Sequence, residues 1–304
     1  MHNRHIEVSG FWNGFNLSQC DAIKLLYETI QQLNPHQRIL LTSVFNPANG
    51  VKYKNLNEFR LRLEASLSQF NKIVVVSWEP EFSLVEFALN PDVVTVGWHK
   101  SSKILFPAWL SLVKYQGDIN NPLYYSNLDA PFPVNGSRNK FLYCYRNQVI
   151  YRELIAKFLE KKNLLVDCLP LSHHRFIQSI TVRSLVIKLF RCHVSQKVVN
   201  KHSKSCFYWL ALESNIIDSY ISEKLFRSIM YSAAPIYIGA ALNPEYYNTT
   251  SILQFYSYLQ FFEWIKKGCH KSIQFNESIS LITPKFKQLI SPQNLKISLA
   301  SFLI

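Results

Sequence analysis

The sequence predicts an α/β protein of two domains, each a parallel sheet with helices on both faces, meeting at a cleft. Three observations predict it. A length of 304 residues corresponds to two domains at about 150 residues each. A hydrophobic fraction of 48% with only 17% charged residues excludes a disordered or fibrous chain. Apolar runs alternate with amphipathic ones along both halves.

Residues 38–45 are an apolar run that predicts a buried strand. Across 55–70, Leu56, Phe59, Leu63 and Leu67 recur at three- and four-residue steps, the face of a helix. The continuous β-branched run over 72–78 fits a strand covered on both faces, and 93–98 is another. The Pro/Gly/Asn/Ser cluster over 129–137 breaks regular structure and sets a boundary between a domain of 1–136 and one of 137–304. Beyond it, 141–145 predicts a short strand. The helix expected over 147–162 places Ile150, Leu154, Ile155, Phe158 and Leu159 on one side. Strands at 164–166, 207–213, 235–239 and 252–255 then alternate with helices at 222–231 and 256–267. The last thirty-odd residues, with Pro284 and Pro292, are less periodic and receive no assignment.

Composition narrows the chemistry. With 8 glycines, and neither GxGxxG nor GxxxxGK[ST] present, ordinary dinucleotide-binding dehydrogenases and P-loop NTPases are excluded. A net charge of +13 calls for an anionic partner: nucleic acid, an anionic membrane or a phosphorylated substrate. The basic residues are scattered, and no nucleic-acid motif accompanies them. Six cysteines without a CxxC pair imply reduced thiols. No secretory signal opens the sequence, and the longest apolar run, 229–242, is interrupted by Ser232, Pro235 and Gly239. A cytoplasmic protein, soluble or peripheral to a membrane, is expected. His173-His174 lacks acidic or cysteine partners at ligand spacing, so no metal site is expected there. Trp78, Trp98 and Trp109 could form a platform for a sugar, but core packing is the expectation for them.

One segment carries chemistry. Over 207–240, a strand ends at the carboxylate of Glu213, a polar loop follows, and a helix opens at Ser222, a residue suited to an N-cap. The N–H groups of such a helix start attract anions, and Lys224 could add a point charge to a phosphate. Tyr220 is placed to stack on a base or a sugar. The blocks Ala211-Leu-Glu213, Tyr220-Ile-Ser-Glu-Lys224 and Ala234-Pro-Ile-Tyr-Ile-Gly239 resemble, in order and spacing, the signature of the α-1,3/1,4-fucosyltransferases, glycosyltransferase family ten. Upstream, 141–168 is similar to that family's strand and Arg-bearing helix, its Arg falling on Arg152, and 74–82 lies where the family has a strand and a Glu-bearing loop. The resemblance spans about residues 70–265 and is dense only over 207–240. Two positions depart from the signature: Ser214 replaces an Asn, with Asn215 one step on, and Ser222 replaces a Thr while keeping the hydroxyl.

The resemblance implies two Rossmann-like domains facing a cleft, the GT-B architecture. It also implies GDP-fucose as donor, inversion at the anomeric carbon, and no metal or other cofactor. On that basis Arg152 and Lys224 neutralise the diphosphate, while Tyr220, Ser222 and Glu223 line the donor, with Glu213 and Asn215 as donor-loop contacts. Glu79, at the end of its strand, is the candidate base, and Glu81 is its rival. The acceptor would be an oligosaccharide or lipid-linked glycan, and the positive charge suits contact with the inner face of an anionic membrane, as for bacterial members. A GT-B enzyme using another sugar nucleotide and a catalytically silent glycan- or nucleotide-binding relative are the alternatives.

Overall fold

The computed structural model describes residues 5–33, 36–107, 141–143, 150–167, 208–213, 216–230, 233–271 and 280–304. They hold two five-stranded sheets. The first contains β1 (Ile6–Val8), β2 (Ile39–Ser43), β3 (Lys72–Ser77), β4 (Val93–Gly97) and β5 (Ile104–Leu105), in the order β1-β2-β3-β4-β5. The second contains β6 (Phe141–Leu142), β7 (Leu165–Asp167), β8 (Tyr208–Leu212), β9 (Ala234–Ile238) and β10 (Leu253–Phe255), in the order β10-β9-β8-β6-β7. Every strand pair is parallel. The seven helices are α1 (Asp21–Leu33), α2 (Leu56–Leu67), α3 (Ile150–Lys161), α4 (Glu223–Met230), α5 (Tyr258–Lys266), α6 (Pro284–Leu289) and α7 (Pro292–Leu303), counted among the described residues.

The continuous apolar runs are strands because both faces are covered. Since successive side chains point to opposite faces, Ile39, Leu41, Val74, Val76, Val94 and Val96 pack with α1 through Ile23, Leu26 and Ile30. Their alternates Leu40, Ile73, Val75 and Val93 pack with α2 through Phe59 and Leu63. The second sheet divides in the same way. Tyr208, Leu210, Leu212, Ile236 and Ile238 join α3 and α5 through Ile155, Leu159, Phe261 and Ile265. On the other face, Trp209, Ala211 and Tyr237 meet Leu225 and Phe226 of α4 in a core that also holds the α1 residues. One hydrophobic cluster therefore touches both sheets.

The predicted elements agree with the observed ones to within a few residues. Residues 144–149, the 129–137 boundary cluster, His173-His174 and Trp109 lie outside the described residues. Five elements went unpredicted: β1, α1, β5, α6 and α7. The last of these is the most consequential for packing. Ser291 caps α7 through the Asn294 N–H, Pro292 opens it, and Leu295, Leu299 and Leu303 form its buried stripe. That stripe packs with α1, and Lys296 Nζ reaches Gln32 Oε1 at 3.4 Å, so the end of the chain covers the first sheet's helical layer. Cys20 is a buried free thiol. Among the described residues no helix is long and apolar enough to cross a membrane.

Candidate functional site

Parallel strands gather their carboxyl ends on one edge, where open α/β sheets bind ligands. Nearly all of the predicted site residues that are described stand on such edges. Glu79 follows β3 by two residues, Glu213 directly follows β8, and Arg152 is buried in the first turn of α3, after β6.

Glu213 is the centre of the second sheet's edge. Its main-chain N–H still pairs with the Ile238 carbonyl at 3.0 Å, and the residue is 2% exposed. A carboxylate buried so far must find donors. It accepts from the Ser222 N–H at 2.8 Å and from Lys224 Nζ at 3.0 Å. Ser222 caps α4 as expected, its hydroxyl accepting from the Lys224 N–H at 3.3 Å and from Lys224 Nζ at 3.2 Å. The Trp209 indole N–H fixes the Lys224 carbonyl at 2.8 Å. The helix start that the sequence marks as an anion site thus already receives a protein carboxylate. Lys224 keeps a quarter of its side chain exposed, whereas that of Glu213 is fully covered. Gly239, at the end of β9, makes room for this cluster: a Cβ there would lie 2.9 Å from Glu213 Cγ and 2.3 Å from Tyr237 Oη. Glu223 opens α4 and is half-buried.

The first sheet's edge carries a second cluster. Lys52 Nζ pairs with Glu79 at 3.0 Å and with Glu81 at 3.1 Å, so one ammonium holds both candidate bases. Burial opposes its charge, but the two carboxylates outweigh that and raise the Lys52 pKa. The turn bearing the carboxylates is rigid: the Glu79 carbonyl accepts from the Phe82 N–H at 3.1 Å and from the Trp98 indole at 3.1 Å.

Tyr220 joins the two edges. It is buried, preceded by Ser219 in the left-handed region at φ 65°, and meets the Trp98 ring edge-on at 5.1 Å. Burial, then the charges of Glu213, Glu223, Glu79 and Glu81, hold its phenol far above the ordinary value of 10.0. Tyr220 therefore feels the charge of carboxylates from both sheets. Lys100 and Asp218 make a further, exposed link at 3.9 Å between the same two edges. Asn215 lies outside the described residues. Local sequence reasoning missed Lys52, because its partners lie 27 and 29 residues away. Trp98 was expected as core, and it is, yet its ring also supports Tyr220 and its indole the Glu79 turn; Trp78, also expected as core, packs against the core but stays partly exposed.

Such a molecule belongs to the class of two-sheet parallel α/β proteins that carry polar clusters at their strand ends. No protein-family model matches the chain, and no curated protein matches it. Its fold is similar to that of a crystal structure of an α1,3-fucosyltransferase with GDP-fucose, with a TM-score of 0.55 and 14% identity, covering 98% of this chain and 89% of that one. An α1,3-fucosyltransferase structure with GDP gives a TM-score of 0.50, also at 14% identity, over 99% and 91% of the two chains. A third α1,3-fucosyltransferase structure gives 0.53 with the same identity and coverage. The chain has the fold of these fucosyltransferase structures.

Proposed function

We propose that this chain is an inverting glycosyltransferase of GT-B architecture. It moves fucose from GDP-fucose to a hydroxyl of an oligosaccharide or lipid-linked glycan, without a metal ion or other cofactor. The observation that carries the reading is that the Glu79–Glu81–Lys52 and Glu213–Ser222–Lys224 clusters stand at the strand ends of the two sheets, which the Trp98–Tyr220 and Lys100–Asp218 contacts link. It is supported by the fold's likeness to a fucosyltransferase crystallised with GDP-fucose. The acceptor oxygen attacks the anomeric carbon as the bond to the diphosphate oxygen breaks. Glu79 takes the hydroxyl proton, and GDP leaves with the bonding pair. Lys224 and Arg152 supply positive charge toward the leaving diphosphate, which lowers the cost of its departure. Tyr220 and Glu223 line the donor. The positive net charge suits work at the inner face of an anionic membrane that carries the acceptor.

A second reading, a relative that binds nucleotide sugar without transferring it, is favoured by one observation: Lys52 engages both carboxylates, so the base must leave an ion pair to act. Thermal unfolding with GDP, UDP, CDP or ADP in EDTA, followed by transfer assays with GDP-fucose, separates the readings. Stabilisation by GDP alone together with transfer supports the proposal. Stabilisation by UDP in place of GDP discards fucose, and GDP binding without transfer to any acceptor supports the silent relative.

A further inference from the structure

We infer that the loops following β1, β2 and β3 form a carbohydrate-binding subsite in which the Trp12 and Trp78 rings receive the C–H face of a pyranose beside Glu79. The inference rests on the transferase reading and supplies its acceptor side. Trp12, in the loop between Gly10 and Gly14, has its ring 5.0 Å from that of Phe15, 6.2 Å from Phe45 and 6.4 Å from Trp78. Trp78 is locked in place, its indole N–H donating to the Phe106 carbonyl at 3.0 Å and its ring stacked on Phe106 at 6.2 Å. Both tryptophans stay partly exposed, although Phe11 and Phe106 beneath them are buried. With the Trp78 donor satisfied internally, the surface it offers a ligand is hydrocarbon.

The polar rim comes from the same loops. The Asn13 N–H donates to the Gly50 carbonyl at 3.1 Å, tying the Trp12 loop to the loop that carries Lys52. Lys52 then reaches Glu79, the residue after Trp78, at 3.0 Å. Gly50 permits this approach: it sits at φ +64°, and a Cβ would lie 2.4 Å from the Asn13 nitrogen. Partly exposed indole hydrocarbon beside a rim of charged hydrogen-bonding groups matches a pyranose, which has an apolar C–H face and a rim of hydroxyls. Two carboxylates against one ammonium leave the rim net negative, which repels a phosphate and does not penalise a neutral sugar. The donor's diphosphate thus belongs to the second sheet's edge, and this subsite takes an uncharged glycan.

The test is fluorine NMR of the full chain labelled with 5-fluorotryptophan, titrated with methyl β-galactopyranoside and methyl α-glucopyranoside into the millimolar range. The Trp12 and Trp78 signals, assigned with Trp12→Phe and Trp78→Phe, are expected to move with at least one pyranoside. Trp12→Leu, which keeps apolar bulk but loses the ring face, should weaken that binding and raise the acceptor KM about five- to tenfold. Trp12→Phe should retain most of both, and GDP binding should hold within about twofold. Stationary signals in the wild type, or Trp12→Leu equal to wild type, overturn the subsite. The fluorine signals need no variant that folds poorly and no turnover. If they move but GDP-fucose is never transferred, the transferase reading falls and the subsite stands. Transfer without any movement gives the reverse.

Discussion

Gly239 shows how a single atom protects the Glu213 cluster. An added Cβ would approach Tyr237 Oη and Cζ to 2.3 and 2.4 Å, and Glu213 Cγ to 2.9 Å, all in buried side chains with little room to shift. Gly239→Ala should lower stability by about 1–3 kcal/mol, read from the denaturant midpoint. A midpoint unchanged from wild type would show that the Glu213 cluster relaxes freely. At the other edge, Glu79→Ala should cut transfer about 10²–10⁴-fold with GDP binding intact, and Glu81→Ala should cost far less. If Glu81→Ala is the more damaging, the base is Glu81. The block 220–224 and Glu213 were legible because a strand-ending carboxylate and a capped helix start are local patterns. Lys52 was not legible, since no neighbour in sequence marks it and only the fold brings it to Glu79. A pH effect also belongs at this scale. Burial, then Lys100, lower the His99 pKa from 6.5, and Asp218 opposes them in part. Near pH 6.5 the folded chain therefore binds fewer protons at this site than the unfolded chain does. Its contribution is present above that pH and lost as pH falls through the lowered value. Replacing the side chain in His99→Gln should flatten the fall of the denaturant midpoint between pH 6.5 and 5, and an unchanged slope would assign that fall to other groups.

Among the elements, the central strands were the most legible, and the reason is burial on both faces. In β2 and β4 every residue is buried, and in β3 every residue but Lys72, so apolar and β-branched residues run without interruption. β1 and β5, with three and two residues, carry too little pattern, and their strand character comes from pairing with β2 and β4. α1 does carry a helical stripe, Ala22, Ile23, Leu25, Leu26, Thr29 and Ile30, that a search led by strands passes over. α7 is harder to read: Ile297, 62% exposed, stands between the buried Leu295 and Leu299, and the layer it covers lies at the opposite end of the chain. That asymmetry gives a paired prediction. Leu299→Ala should cost about 2–5 kcal/mol through lost burial and a cavity against α1. Ile297→Ala should stay within about 0.5 kcal/mol. Equal effects at the two positions would mean that α7 does not pack as described.

At the scale of the whole molecule, the stripe of that helix belongs to a core that reaches both sheets. The cluster holding Ile23 and Leu26 of α1 also holds Trp209 and Tyr237 of the second sheet and Leu295, Leu299 and Leu303 of α7. Two sheets that share a continuous core cannot lose one half without exposing apolar surface on the other, so the chain should unfold in a single transition although it carries two sheets. On the proposed reading, in which GDP binds at the second sheet's edge, GDP should then raise that one transition for signals from both halves. At about 100 times its dissociation constant the gain is about 2.7 kcal/mol, and at about 2–4 °C per kcal/mol the shift is several degrees. Removing residues 292–304 takes away the α7 stripe and uncovers the α1 face. In that truncated chain the transition should broaden or split, with only the component belonging to the second sheet responding to GDP. Scanning calorimetry of both chains, with and without GDP, reads this directly. Two transitions in the intact chain, of which GDP moves one, would show that the sheets are energetically separate and that the shared core does not couple donor binding to the acceptor side.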